Sequence, residues 1–324
     1  MPWPRPARRQ RQSARRGTPL WGCVRRRPGP GPGARSATRG PPPPRPPRPE
    51  PIRRPRPGRR RWRHRLSLND APAVLHLEVD GAGGGRVVLV HGFTQTARSW
   101  DSVAPALAAH REVVGVDLPG HGGSSDVRLG FAQTAAAIGG AGGRAVYVGY
   151  SLGGRLCLRL ALDRPDLVAA LLLVGASPGL AEPTERAARR RADDALAAEI
   201  EHVGTTAFVD RWLASPLFAG LRPSRADLEG RRANRPDGLA WALRVLGTGS
   251  QEPLWDRLGA LHMPVLVTAG ADDLKFAALA AAMAADIPSA MVALVPDAGH
   301  AAHLERPDEW LGLVQPFLDT HHTA

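Results

Sequence analysis

The stretch that decides the fold is Ala145-Val146-Tyr147-Val148-Gly149-Tyr150-Ser151-Leu152-Gly153-Gly154-Arg155. It opens as an apolar, β-branched run, turns through Gly149-Tyr150-Ser151-Leu152-Gly153, and continues into the amphipathic stretch from Gly154 to Leu162. A bare GxSxG is common in a glycine-rich chain. Strand before and helix after make it a nucleophile elbow, in which the serine occupies a strained turn and neighbouring Cβ atoms would collide. Ser151 is therefore the candidate nucleophile or base.

Working outward, short apolar runs alternate with helical stretches, as in βα units around a mostly parallel sheet. Arg86–Val90, Glu112–Val116, Leu171–Val174, Val265–Val267 and Met291–Val295 read as further buried strands. Each ends in a turn rich in Gly, Asp or Ser. The segment from about 181 to 258 breaks the alternation: it is Ala-, Arg- and Leu-rich at helical spacing, and Pro216, Pro223, Pro236 and Pro253 divide it into short helices. The fold class predicted is α/β, an α/β-hydrolase fold with a doubly wound, mostly parallel sheet and an inserted helical lid.

A serine hydroxyl needs an imidazole to take its proton. His300 supplies one, following the last strand in Pro296-Asp297-Ala298-Gly299-His300, and the order serine, acid, histidine is that of this fold. The acid lies in Gly270-Ala271-Asp272-Asp273, where Asp273 is preferred over its neighbour Asp272 for orienting the imidazole. After the first strong strand, His91-Gly92-Phe93 fits the oxyanion loop, with the backbone N–H of Phe93 joining that of Leu152. His91 and His121 read as structural. His303 and Glu305 lack further ligands at suitable spacing, so no metal site is expected, and no cofactor.

Composition changes sharply near residue 65. Of the 43 basic residues, 21 fall in residues 1–65 against one acid, Glu50, and 17 of the 32 prolines lie there too. The net charge of +13 therefore belongs to this extension, while the remainder carries 22 basic and 29 acidic residues. With almost no aliphatic residues the extension cannot offset its ordering entropy, and residues 1–65 are expected to be disordered ahead of one domain over 66–324. Its arginines give electrostatic but not base-specific attraction, so no nucleic-acid partner is required. An RNA- or anionic-surface-binding protein working through the extension is the alternative from another class, which salt-sensitive RNA binding lost on deleting residues 1–65 would support. Two cysteines, Cys23 and Cys157, form no plausible framework, and no secretory or membrane-spanning run is present. A reduced, cytoplasmic location is expected.

His91-Gly92-Phe93-Thr94 with Trp100, Asp117-Leu118-Pro119-Gly120-His121-Gly122-Gly123-Ser124-Ser125, the elbow with Arg155, and Gly270-Ala271-Asp272-Asp273-Leu274-Lys275-Phe276 together resemble the MenH family. The resemblance spans roughly residues 74–320. It implies a 2-succinyl-6-hydroxy-2,4-cyclohexadiene-1-carboxylate synthase, a lyase of menaquinone biosynthesis that removes a ring proton and eliminates pyruvate. It also implies a small polycarboxylate substrate held by Tyr150, Arg155, Arg189, Trp212 and either Arg231 or Arg232, with Arg231 preferred. Lys275 is the only lysine in the chain, which marks it as specifically required. The competing activity on this scaffold is a serine carboxylester or carbon–carbon bond hydrolase. The residues leave oligomeric state open.

Overall fold

The computed structural model describes the backbone of residues 63–64 and all of residues 75–321. Apart from Arg63–His64, the extension predicted over 1–65 lies outside the described residues, as do residues 66–74. Among the described residues, eight strands form one sheet: β1 (Arg63–His64), β2 (Leu77–Asp80), β3 (Arg86–Val90), β4 (Glu112–Val116), β5 (Ala145–Tyr150), β6 (Val168–Val174), β7 (Val265–Gly270) and β8 (Ala290–Val295). Their order is β1-β2-β4-β3-β5-β6-β7-β8. The first two join antiparallel, with Arg63 opposite Val79 and Leu77 opposite Val116, and β4 through β8 are parallel. Two residues assigned by composition to the extension thus add a short strand to the sheet.

Strands β3 to β7 are mostly apolar because helices cover both faces, with Arg86 and Glu112 at the starts of β3 and β4 and Thr268 within β7 as the polar exceptions. Period-two alternation splits each strand between two cores. Val88, Val90, Tyr147, Leu171 and Leu173 pack with Ile138, Leu156 and Leu160 from α2 (Phe131–Gly142) and α3 (Leu152–Asp163), and with Met283 from α7 (Leu274–Asp286). Val87, Leu89, Val146, Val148 and Leu172 pack with Leu107 from α1 (Ala104–Leu107), Ala302 from α8 (Ala302–Glu305), and Trp310, Val314 and Leu318 from α9 (Pro307–Thr320). β8 departs from expectation. It is an edge strand paired only with β7, so Met291, Val292 and Leu294 are exposed rather than buried.

Between β6 and β7 the chain forms the helical lid: α4 (Pro183–Leu213), α5 (Arg225–Arg232) and α6 (Pro236–Leu246). Pro236 starts α6 in its first turn, where its missing N–H costs nothing. The break within α4 comes from a glycine instead of a proline, since Gly204 takes φ 78° and kinks the helix. Ile200, Phe208 and Val209 of α4 bury themselves against Leu239, Ala240 and Leu243 of α6, giving the lid its own small core. No helix among the described residues is long and apolar enough to cross a membrane.

The chain reverses direction across the sheet between β3 and β5. In such sheets the crevice beyond the carboxyl ends of the strands at the reversal takes the ligand, and here the loops after β3 and β5 flank it.

Candidate active site

Ser151 sits between β5 and α3 with φ 49° and ψ −107°, a conformation that a non-glycine residue holds only when its surroundings fix it. The fixing contacts are close backbone approaches. A Cβ on Gly149 would lie 2.6 Å from the Gly153 carbonyl, and one on Gly153 would collide with the Val90 carbonyl. The serine N–H donates to the Val174 carbonyl on β6 at 2.9 Å.

His300 brings Nε2 to 3.2 Å from Ser151 Oγ, and its Nδ1 lies 2.9 Å from Asp273 Oδ2. With Asp273 accepting, Nδ1 carries the proton and Nε2 is left to accept from the serine. The other Asp273 oxygen accepts from the Phe276 N–H at 3.2 Å, capping α7 and orienting the carboxylate. Asp272 is exposed, outside this chain of hydrogen bonds. Gly175, with φ 53°, passes so close that a Cβ there would stand 3.2 Å from the His300 ring.

The cavity in front of Ser151 is lined by Phe93, Leu152, Trp212, Leu217, Leu243 and Leu246, together with three cations, Arg155, Arg189 and Lys275. Phe93 and Leu152 donate their backbone N–H to no group among the described residues, which leaves both available to an anion in the cavity. Arg155 is four residues beyond Ser151 and so shares its face of the helix. It is buried and donates to two neutral acceptors, Gln251 Oε1 at 2.7 Å and the Leu246 carbonyl at 2.9 Å. Burial, and then the charge of Arg189, lower its pKa to about 9. Arg189 is one-third exposed and pairs with Asp193 at 2.7 Å. The Trp212 indole N–H is buried, with no acceptor among the described residues.

Two of the implied substrate contacts are placed elsewhere. Tyr150 is buried behind His300 with ring centroids 5.4 Å apart, and burial raises its phenol well above the ordinary range. Its side chain does not line the cavity: the ring lies against Gly92 in the loop after β3 and packs into the core with Trp310. Arg231 is also buried outside the cavity, bonded to Asp227 and Thr94, while Arg232 pairs at the surface with Asp210. What the sequence reading missed is the polar support: Gln251 holding Arg155, and Asn234 and Thr94 tying lid to loop. These residue types occur throughout any chain, and only the tertiary contacts single them out.

His91 and His121 are buried, and neither lines the cavity. His91 Nε2 accepts from the Leu118 N–H at 3.0 Å and Nδ1 donates to the Gly92 carbonyl at 2.8 Å, joining the loops after β3 and β4. Burial holds His91 down to about 4, and His121 and His303 to about 3. All three are thus neutral when folded, whereas the unfolded chain protonates them near the ordinary value of about 6.5. Below that pH the unfolded state binds more protons, so stability falls as pH drops, approaching about 1.4 kcal/mol per pH unit for each histidine. The melting temperature is expected to be at least about 5 °C lower at pH 5 than at pH 7.5. A flat profile over that interval would show that the three rings are not held neutral.

A hydroxyl on a strained turn, joined through an imidazole to a carboxylate at the carboxyl edge of a parallel sheet, defines the α/β-hydrolase class. Residues 87–312 match the sequence profile of that family, described as Alpha/beta hydrolase family. An Escherichia coli O1:K1 protein described as 2-succinyl-6-hydroxy-2,4-cyclohexadiene-1-carboxylate synthase is 33% identical over 231 residues, covering 68% of this chain and 88% of the relative. A Bacillus subtilis protein provisionally given the same description is 34% identical over 252 residues, 72% of this chain and 89% of the relative. The solved structure of MenH from S. aureus superposes with a TM-score of 0.71 at 30% identity, covering 76% of this chain and 98% of that one. The chain belongs to the 2-succinyl-6-hydroxy-2,4-cyclohexadiene-1-carboxylate synthase family.

Proposed function

We propose that this chain is the lyase of menaquinone biosynthesis that converts 2-succinyl-5-enolpyruvyl-6-hydroxy-3-cyclohexene-1-carboxylate into 2-succinyl-6-hydroxy-2,4-cyclohexadiene-1-carboxylate and pyruvate. The observation that carries this reading is Arg155, a buried cation on the wall of the serine's own cavity, hydrogen-bonded only to neutral groups and repelled by Arg189. A hydrolase of neutral esters has no use for such a charge. A substrate with carboxylates on its ring, succinyl and enolpyruvyl groups does.

Arg155 and Arg189 offer planar guanidinium groups for bidentate carboxylate binding, and Lys275 adds a third positive charge at the exposed rim. The Trp212 ring forms part of the same wall. Held so, the ring proton faces Ser151 Oγ. His300 Nε2 takes the hydroxyl proton as the oxygen removes the proton from carbon, and Asp273 stabilises the imidazolium that forms. The negative charge left on the substrate is met by the N–H groups of Phe93 and Leu152. Its collapse breaks the carbon–oxygen bond to the enolpyruvyl group and expels enolpyruvate, which takes up one proton at its methylene carbon to leave as pyruvate, balancing the proton that His300 gives up to regenerate the free base.

The test is pyruvate release, followed with lactate dehydrogenase and NADH, alongside turnover of a panel of neutral p-nitrophenyl esters. Rapid pyruvate release with weak ester turnover is expected. Efficient ester hydrolysis with no pyruvate would overturn the reading.

A further inference from the structure

Arg231 makes its contacts inside the protein, and they lead to the oxyanion loop. On α5 its Nε donates to Asp227 Oδ2 at 2.7 Å and its terminal nitrogen to Thr94 Oγ1 at 2.8 Å, with the arginine only 2% exposed. The Ser99 hydroxyl donates to the second Asp227 oxygen at 2.7 Å, so this carboxylate is fully engaged. A second lid residue grips the same loop position. Asn234 Nδ2 donates to the Thr94 carbonyl at 2.7 Å, and Asn234 Oδ1 accepts from the Gly122 N–H at 2.8 Å.

Thr94 is thus held by its hydroxyl and by its carbonyl, both from the lid. It also has φ 68°, where a β-branched residue is strained and stays only if its surroundings impose it. The residue before it is Phe93, which lines the cavity. Rotation of Thr94 toward ordinary backbone angles would turn the Phe93–Thr94 peptide and shift Phe93, and through it the Gly92–Phe93 peptide that carries the Phe93 N–H.

We infer that Arg231, with Asn234, is a positioning residue that holds the strained Thr94 and so aims the Phe93 N–H at the anion formed in the reaction, making a competent oxyanion site conditional on a docked lid. The inference rests on the assignment of Phe93 as an oxyanion donor under the proposed lyase reading. It moves Arg231 from the substrate to the catalytic loop, and it gives the lid a part in catalysis beyond enclosing the cavity.

The informative variant is Thr94→Val, which keeps the shape and the β-branch, leaves the Arg231 charge in place, and removes only the hydroxyl that accepts from it. Thr94→Val and Arg231→Gln are each expected to lower kcat at least about tenfold with KM changed less than about twofold, and the double variant to be little worse than either alone. Arg155→Ala is expected to show the contrasting pattern, a raised KM. Assays run well below the melting temperature of each variant, normalised to folded protein, separate this from a loss of stability. The Phe93 amide resonance gives a readout independent of substrate: it should shift in Thr94→Val and Arg231→Gln, and stay in place in Arg155→Ala. A raised KM in Arg231→Gln with a silent Thr94→Val would make Arg231 a substrate cation. An unmoved Phe93 amide and unchanged kcat would make the network structural, and either result overturns the inference. Should the wild-type chain release no pyruvate, the lyase reading fails by itself, and the Phe93 resonance still decides the role of Arg231.

Discussion

His300→Ala is expected to reduce pyruvate release by roughly 10²–10⁴-fold, the range for loss of a general base, and Ser151→Ala to do nearly the same. The double variant should be scarcely worse than either single one, because the hydrogen bond of 3.2 Å between them makes one proton-accepting unit. Asp273→Asn should also be severe. An amide presenting its NH₂ to Nδ1 would force the other tautomer, leaving Nε2 protonated and unable to accept from Ser151. Asp272→Asn removes an exposed carboxylate that takes no part in this chain and should change kcat less than about twofold. Activity measurements on these four variants check the assignment, and a crippling Asp272→Asn beside a silent Asp273→Asn would reverse it.

The second large effect concerns the cations. Arg155→Ala is expected to lower kcat/KM for the anionic substrate by about 2–5 kcal/mol, the range for deleting one partner of a buried charged pair. Arg189→Ala should fall at the low end, because its side chain is one-third exposed and already shares Asp193. Arg155→Lys should recover little: an ammonium cannot span both Gln251 Oε1 and the Leu246 carbonyl while also meeting a carboxylate edge-on. Residual turnover of a neutral ester, which has no carboxylate to lose, should be nearly unchanged in both variants. Full pyruvate release by Arg155→Ala would remove the main support for a polycarboxylate substrate.

The elements nearest the chemistry were the most legible in the sequence, for a physical reason. A strand buried on both faces has an apolar interior, and the runs Val87–Val90 and Val113–Val116, each opened by a half-buried charged residue, Arg86 and Glu112, mark the two strands at their observed limits. The elbow was readable because Gly149 and Gly153 are required by backbone contacts that tolerate no Cβ. Met291–Val295 was read as buried because composition does not distinguish a central strand from an edge strand; neighbours do. The arginines were the least legible. Arg155, Arg189 and Arg231 are the same residue type in helices, yet the first is buried on the cavity wall, the second sits at its edge, and the third is locked to Thr94 across 137 residues of sequence. Helical periodicity shows which residues share a face, and what lies opposite that face is settled by how the lid seats on the sheet.

The three cations around the cavity also bear on how turnover ends. The substrate carries three carboxylates, and cleavage of the carbon–oxygen bond divides them, one leaving with pyruvate and two staying on the ring product. Neither fragment can neutralise the whole wall. With the carboxylates placed on these cations as proposed, each product would be held by fewer ion pairs than the molecule that entered. The charge arrangement proposed to capture the substrate would then also hasten departure of the products, with no separate device needed to expel them.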